Sequence, residues 1–445
     1  MNILFVVPYV PNPIRVRPYE LLRTLAQRGH ALTLATLWQS KEERQEIAKL
    51  EDLGITVAAK PLPKLRALWN SASALPTRTP LQARYCWQPA LADLLEQLVA
   101  QESFAVAHVE HLRGAAYGLH LRTIAARTGY ALPVVWDSVD CISHLFAQAA
   151  KRSRSLSGRF MTTLELARTR RYEGWLLDQF PQVLVTSKVD QQALCTLAKQ
   201  YRTEPFCGNR VLPTRRTETC CEKPVVLPNG VDLSYFRHRA AAQVQEQTTS
   251  DTADSGPPPT VVFSGKMSYH ANITAARYLV DEIMPRVWAQ YPETRVQLVG
   301  KDPPAQIRAL ARTATHGPNG KPQQGAVEVT GTVPDLPPYL QRATVAAAPL
   351  LYGAGIQNKV LEAMACGAPV VTTRQAAGGM QAKPGQDLLV ADDTQTFADE
   401  IVRLIADPAE RQALGDAGRA YVEANHSWFA VVDRLEEIYQ TTMAQ

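Results

Sequence analysis

Short apolar runs recur along the whole chain, and each is followed by a segment with helical periodicity. A continuous apolar run is typical of a strand that is buried on both faces of a parallel sheet. Before residue 230 these runs lie at residues 3–7, 31–36, 55–59, 106–109, 134–137, 183–186 and 225–227. The alternation predicts a doubly wound α/β architecture, in which ligands bind outside the carboxyl ends of the strands.

The same rhythm starts again after residue 230, with runs at 261–264, 296–300, 327–330, 345–348, 370–372 and 388–390. The 445 residues are enough for two domains of ~200 residues each. Residues 1–230 carry 29 Lys and Arg against 19 Asp and Glu, whereas residues 231–445 carry 18 against 23. We therefore predict domains at 1–230 and 231–425, a polar insertion at 237–260, and a final helix (426–445) that packs back on the first domain.

Composition excludes several classes of protein. No apolar run approaches the ~20 residues that cross a bilayer, and the first run has no basic segment before it, so we interpret it as a buried strand. The seven cysteines show neither C-x-x-C pairs nor zinc spacing, which favours free thiols in the cytoplasm. No metal site and no obligatory metal ion or cofactor is expected, and no nucleic-acid-binding signature is present.

Residues 347–373, AAPLLYGAGIQNKVLEAMACGAPVVTT, combine a strand, a glycine loop and a helix start. Loop amides and the positive end of a helix dipole together form an anion site. Lys359 and Glu362 lie one turn apart on that helix, where an ammonium suits a diphosphate and a carboxylate suits ribose hydroxyls. An ordinary solvated Lys/Glu pair is the alternative interpretation.

A second glycine follows the strand of VVFSGKMSYHANITAARYLV, the segment that opens the second domain. Lys266 comes directly after Gly265 and is the candidate for pairing the diphosphate as a compact charge. If the sheet is parallel, this loop and the loop at 352–356 lie at the same edge. Their coincidence in one domain favours a nucleotide site.

Several motifs in this order resemble a known family: PNGVDLSYF at 228–236, FSGKMSYHANITAARYL, GTVPDLPPYLQRATVAAAPL at 331–350 and NKVLEAMACGAPVV at 358–371. The chain resembles GT-B-fold glycosyltransferases of the retaining family numbered four, and among them the exopolysaccharide sugar transferases found with exosortase systems. The resemblance implies two Rossmann-like domains that face a cleft, with the acceptor on the first and a nucleotide-diphosphate sugar on the second.

Matched by position, Glu362 is the second acid of the family's E-x7-E pattern and holds the ribose hydroxyls. Ala354 stands where the first acid, which faces the transferred sugar, would be. Asn358-Lys359 matches branches that lack this acid, so the substitution is a branch trait or marks a catalytically impaired member. The other donor-side residues that the resemblance implies are Lys266, Thr332, Val333, Gly353, Gly355 and Ile356.

In the first domain, the family's paired glycines are replaced by PNPI at 11–14, followed by Arg15 and Arg17. Either arginine could face a diphosphate or an acidic acceptor, and Arg17 could instead cap the helix. Past another strand end, the resemblance implies a histidine that contacts the sugar, for which His111 is favoured together with Glu110; His108 is a core alternative. Asp137 and Asp140 face the acceptor or cap the next helix.

The resemblance implies transfer of a sugar to a polysaccharide or lipid-linked acceptor. A nucleotide-sugar epimerase and a non-catalytic assembly subunit are the alternatives, and the missing G-x-G-x-x-G argues against a dinucleotide-dependent oxidoreductase. Basic amphipathic stretches at 64–78 and 151–171 lie on an anionic membrane or form solvated helix surfaces. Peripheral association at the inner face of the membrane is therefore a further expectation.

Overall fold

The computed structural model describes residues 1–152, 156–201, 224–238, 257–313, 315–316, 322–352 and 356–444. The chain divides into two compact units. The first comprises Met1–Pro228 together with Val431–Gln445, and the second comprises Asn229–Ala430. No helix of the described chain has the length and apolar character needed to cross a membrane.

The first unit is built on a parallel sheet of seven described strands in the order β3-β2-β1-β4-β5-β6-β7. Its strands are β1 (Asn2–Val7), β2 (Ala31–Trp38), β3 (Thr56–Pro61), β4 (Val106–Glu110), β5 (Val134–Val139), β6 (Gln182–Val185) and β7 (Pro224–Val226). Its helices are α1 (Val16–Gln27), α2 (Lys41–Glu51), α3 (Lys64–Ala74), α4 (Leu81–Tyr85), α5 (Pro89–Gln101), α6 (His111–Thr128), α7 (Ile142–Arg152), α8 (Leu156–Gln179) and α9 (Lys188–Tyr201).

The second unit has a parallel sheet of six described strands in the order β12-β9-β8-β13-β14-β15. These are β8 (Thr260–Ser264), β9 (Arg295–Val299), β12 (Val327–Gly331), β13 (Val345–Ala348), β14 (Val370–Thr372) and β15 (Leu389–Val390), and a separate antiparallel pair joins β10 (Thr315–His316) to β11 (Pro322–Gln324). The helices are α10 (His270–Arg277), a π-helical segment (Tyr278–Ile283), α11 (Met284–Trp288), α12 (Ala305–Arg308), α13 (Pro337–Gln341), α14 (Asn358–Ala365), α15 (Arg374–Ala377), α16 (Thr394–Ala406) and α17 (Pro408–His426).

Both sheets form because their central strands are apolar on both faces. Val345–Ala348 and the last five residues of Asn2–Val7 are buried throughout, so helices must cover each side of the sheet. In both units the strand order reverses beside the first strand, which is the topological switch point where such sheets bind ligands. The α/β fold with two Rossmann-like units is confirmed.

The start of α7 is capped by a side chain that the sequence did not indicate. Glu173, on α8, accepts hydrogen bonds from the backbone N–H groups of Ile142 and Ser143, at 2.7 and 3.1 Å. Asp140 instead accepts a hydrogen bond from the Thr186 hydroxyl at 3.2 Å. The expectation that Asp137 or Asp140 caps this helix is therefore wrong, because a buried carboxylate from the next helix occupies the position.

The last helix, α18 (Trp428–Met443), begins in the second unit and belongs to the first from Val431 onward. In the first unit, the Tyr439 hydroxyl hydrogen-bonds to Nδ1 of the buried His108 at 2.8 Å. Glu436 lies 2.7 Å from Nε2 of His30, and Asp433 pairs with Arg28. This part of α18 is thus an integral piece of the first unit.

Candidate active site

The loop after β8 in the second unit brings a glycine and an exposed cation to the carboxyl edge of the sheet. Gly265 has φ +143°, and a Cβ there would lie 2.9 Å from Nδ2 of Asn272 and 3.2 Å from Nζ of Lys359. Both the conformation and the crowding require glycine. The side chain of Lys266 is exposed, and its ammonium forms no ion pair with any residue that the structure describes. Lys266 is therefore available to an anion.

Lys359, from α14, reaches under this loop. Its ammonium hydrogen-bonds to Oδ1 of Asn272 and lies 4.6 Å from the ring centroid of Phe263. The amide nitrogen of Asn272 in turn donates to the carbonyl oxygen of Lys266 at 2.9 Å. Lys359 thus supports the Gly265–Lys266 turn through Asn272. Its direct contact with a diphosphate stays a prediction.

Glu362 follows one turn later on the same helix and is only partly buried. Burial raises the pKa of Glu362 to about 7, and the positive charge of Lys359 opposes that rise. Burial likewise lowers the pKa of Lys359 to about 7, against the effect of the Glu362 charge. Both side chains are therefore partly shielded from water. Ionisable side chains with pKa values shifted in this way are frequent at binding and catalytic sites.

The two strand-end loops of the second unit are tied together, as the sequence predicts for a parallel sheet. Besides the bond between Lys359 and Asn272, Tyr352 stacks on His270 with ring centroids 5.3 Å apart, and its hydroxyl lies 2.9 Å from Nδ1. Gly353, Ala354 and Gly355 lie outside the described residues, and Ile356 is buried.

The remaining predicted donor residues line the same edge of the second unit. Asn358 accepts a long hydrogen bond of 3.4 Å from the Asn229 side chain. Thr332 is exposed and Val333 is partly buried in the turn after β12. Tyr235, which the sequence did not single out, accepts a hydrogen bond from the Leu336 N–H at 3.4 Å, and its pKa is raised by burial and by the nearby charges of Asp335 and Glu362.

In the first unit, strained backbone marks the ends of two adjacent strands. His111 has φ +65° and Val139 has φ +67°, conformations that non-glycine residues rarely adopt. Such strain is concentrated at functional sites in proteins. His111 starts α6, and burial lowers its pKa to about 4, so the imidazole is neutral at pH 7.

Glu110 ends β4 directly before His111 and is 2% exposed. Its Oε1 accepts a hydrogen bond from the Tyr9 hydroxyl at 3.0 Å, whereas its Oε2 is buried and has no hydrogen-bond partner among the described residues. Burial, together with the charge of Asp137, raises the pKa of Glu110 to about 8. At neutral pH this carboxyl group carries a proton and can donate to a hydroxyl oxygen.

Arg17 and Asp137 pair with each other instead of facing an acceptor. The Arg17 guanidinium lies 2.7 and 2.9 Å from Oδ2 of Asp137, and both side chains are buried. Although burial raises the pKa of Asp137, Arg17 and His108 outweigh it and hold that pKa at about 2. His108 is a core residue here, as the alternative interpretation had it, and Arg17 also donates to the carbonyl oxygen of Pro228 at 3.3 Å.

The other two predicted acceptor residues, Arg15 and Asp140, are partly buried in the first unit. Arg15 pairs with Glu43 at 3.1 Å and lies over the Tyr9 ring, 4.7 Å from its centroid. Asp140 is partly buried, and burial and the nearby Asp190 charge raise its pKa to about 7. Within the described ranges no group of histidine, cysteine and acidic side chains is placed to hold a metal ion.

The match to a known family model falls within the second unit. Residues 258–407 match the family model described as glycosyl transferases group 1. A GDP-mannose-dependent monoacylated alpha-(1-6)-phosphatidylinositol monomannoside mannosyltransferase of Corynebacterium glutamicum is 27% identical over 222 residues, which are 48% of this chain and 55% of the relative. A D-inositol 3-phosphate glycosyltransferase of Saccharomonospora viridis is 30% identical over 238 residues, covering 48% of this chain and 49% of the relative. The chain thus aligns with about half the length of these curated relatives.

Solved structures match over nearly the full length. HepE of Anabaena, solved in complex with UDP, has a TM-score of 0.62 at 15% identity and covers 99% of this chain and 100% of its own. Sucrose-phosphate synthase of Thermosynechococcus elongatus has a TM-score of 0.62 at 18% identity, with 100% and 99% covered. The fold is GT-B, and the matched family segment contains every donor-side residue named above except Asn229 and Tyr235.

Proposed function

We propose that this protein is a retaining glycosyltransferase that moves a sugar from a nucleotide-diphosphate sugar to a polysaccharide or lipid-linked acceptor. We place it in exopolysaccharide biosynthesis, in the cytoplasm at the inner face of the membrane. The observation that carries the proposal is the junction of the two strand-end loops in the second unit, where Lys359 joins Asn272 below the Gly265–Lys266 turn. This junction lies inside the segment that matches the glycosyltransferase family model.

The departing diphosphate requires positive charge that is already in place when the bond to the sugar breaks. The exposed ammonium of Lys266 supplies that charge directly, and the loop amides at 353–356 are the other proposed donors. Lys359 keeps the turn in position and adds charge from below. Glu362 accepts hydrogen bonds from the ribose hydroxyls. Its carboxylate is available for them, since none of the described residues donates a hydrogen bond to it.

In the first unit, Glu110 and His111 are the proposed contacts to sugar hydroxyls. The unsatisfied Oε2 of Glu110 needs a hydrogen-bonding partner, since an unpaired buried polar group is unfavourable by ~1–3 kcal/mol. A ligand hydroxyl satisfies it. The neutral imidazole of His111 can accept or donate one hydrogen bond without adding charge.

Transfer from a donor panel that includes GDP- and UDP-sugars tests the proposal. We expect Lys266→Ala to lower turnover by ~10²–10³-fold, the usual effect of removing one group that stabilises developing negative charge. Glu362→Ala is expected to raise the donor KM. Arg295→Ala is the matched control, because Arg295 is an exposed cation that begins β9, at the opposite edge of the same sheet. Unchanged turnover in both site variants would show that the assignment is wrong.

Ala354 supports a second candidate, a non-catalytic assembly subunit, because it replaces the acid that the resemblance places against the transferred sugar. Tight nucleotide binding without turnover across an acceptor panel would favour this role. Conversion of the nucleotide-sugar in the absence of any acceptor would instead identify an epimerase.

A further inference from the structure

Helix α3 in the first unit exposes its large apolar side chains and buries its small and polar ones. Its large apolar side chains point away from the protein: Leu65 is 82% exposed, Leu68 64% and Trp69 66%. The residues that face the protein are small or polar, namely Ala67, Asn70 and Ala74. An ordinary surface helix shows the reverse arrangement, so this helix presents an apolar face that is suited to a non-aqueous neighbour.

Hydrogen bonds fix this orientation. The side-chain amide of the buried Asn70 donates to the carbonyl oxygens of Tyr85 and Trp87, at 3.1 and 2.7 Å. Rotating the helix to bury Leu68 or Trp69 would turn Asn70 outward and remove the donor from both carbonyl oxygens, which is unfavourable where these are shielded from water. The exposed face is therefore a stable feature of the folded unit.

The surrounding chain is basic. Residues 53–92 contain five Lys and Arg and no Asp or Glu; the cations are Lys60, Lys64, Arg66, Arg78 and Arg84. Beyond the helix end, Arg168 of α8 donates to the carbonyl oxygen of Leu75 and also pairs with Glu165. This contact places Arg168, a cation of the second basic stretch, next to the end of α3. Glu165 also accepts a hydrogen bond from the Leu81 N–H. The acidic side chain at this contact is therefore bound within the first unit.

We propose that the α3 surface, formed by Leu65, Leu68, Trp69 and Leu75, docks on an anionic lipid bilayer. Leucine and tryptophan side chains enter the boundary between headgroups and acyl chains, and the flanking lysines and arginines remain among the anionic headgroups. The absence of acidic residues from 53–92 favours this occupant over a protein partner, whose interface would carry charges of both signs. The inference rests on the proposed location at the inner face of the membrane and names the surface that binds there. Its test does not depend on sugar transfer, because docking requires neither donor nor acceptor.

Flotation with vesicles tests the docking surface. The full chain is expected to float with phosphatidylglycerol–phosphatidylcholine vesicles, more strongly at low than at high ionic strength, and to bind phosphatidylcholine vesicles weakly. Leu68→Gln combined with Trp69→Gln should lower the partition coefficient at least about tenfold. Phe429→Gln is the matched control, since Phe429 is 56% exposed on α18 and should have no effect on binding.

Two further measurements distinguish insertion from other causes. Brominated lipids should quench part of the tryptophan fluorescence, and Trp69→Phe should remove that part. The substitutions at Leu68 and Trp69 are expected to leave the melting temperature unchanged. An unchanged melting temperature shows that weaker docking is not caused by unfolding. The proposal fails if the wild-type chain does not bind anionic vesicles, if the double variant binds as well as the wild type, or if light scattering shows a dimer that the double variant dissociates.

Discussion

Lys359 and Glu362 offer the sharpest test of how the second unit is built. Burial favours the neutral form of both groups: it lowers the pKa of Lys359 to about 7 and raises the pKa of Glu362 to about 7. Two groups that resist ionisation and lie one turn apart weaken the folded state at neutral pH. We therefore predict that Lys359→Met combined with Glu362→Gln stabilises the protein while abolishing sugar transfer.

The size of the gain follows from the degree of burial. Replacing buried charged groups by neutral side chains of similar volume is neutral or stabilising by ~1–4 kcal/mol, and Lys359 and Glu362, which both lie in the described chain, form no direct ion pair that would be lost. Because both side chains keep partial access to water, we expect the lower part of that range, about 1–2 kcal/mol at pH 7. Part of the gain is offset by the lost contact between the ammonium and the Phe263 ring.

The pH dependence identifies the cause. Glu362 has its pKa raised from 4.5, so its unfavourable contribution is absent below about pH 4.5 and grows as pH rises to about 7. Lys359 has its pKa lowered from 10.5, so its contribution is absent above about pH 10.5 and grows as pH falls to about 7. The stability difference between the double variant and the wild type should therefore be largest near neutral pH.

Urea unfolding of both proteins across this pH range provides the measurement. Glu46→Gln combined with Lys49→Met is the matched control, because that pair is also spaced three residues apart but Lys49 is 65% exposed. The control should change stability by less than ~1 kcal/mol. A double variant that is less stable than the wild type at pH 7, or a difference that does not shrink toward pH 4.5, would refute the reasoning.

Three further substitutions test other parts of the structure. Gly265→Ala should weaken nucleotide binding, measured by calorimetry, because its Cβ would collide with the amide and ammonium below the turn; Gly385→Ala, also at positive φ but with no atom within 4 Å, should not. Glu173→Ala should lower the free energy of unfolding by ~1–3 kcal/mol, because the N–H groups at the start of α7 lose their acceptor. Glu102→Ala, at an exposed position, should have little effect, and equal losses in the two variants would contradict the capping role. Tyr439→Phe should lower stability by ~1 kcal/mol in thermal unfolding through the lost bond to the buried histidine; an unchanged melting temperature would contradict it.

The strands were the part of the fold that could be predicted from sequence. The runs at 345–348 and 370–372 coincide with β13 and β14, because a strand buried on both faces must be apolar along its whole length. The antiparallel pair β10–β11 was not predicted, since it is short and has no apolar run. Strand order also could not be predicted, because it is set by packing between distant segments.

The candidate site shows the same limit. Lys266 and Glu362 were predicted from local patterns, a glycine turn and an acid on an apolar helix, and their roles stay predictions. Asn272 was not, because its function depends on a lysine 87 residues away. Arg17 was predicted to face a diphosphate or an acceptor, or to cap the helix, and its pairing with Asp137 was missed for the same reason: the two residues lie 120 positions apart.

The position of α18 has a consequence for synthesis of the protein on the ribosome. The first unit needs Tyr439 to satisfy the buried His108, yet the whole second unit, Asn229–Ala430, is translated between the sheet and that helix. At ~5–20 residues per second, this interval lasts roughly 10–40 s. During it, the nascent first unit has a gap on the surface that α18 later covers. A chaperone that shields apolar surface would have its main target there, and release of the finished chain completes the first unit last.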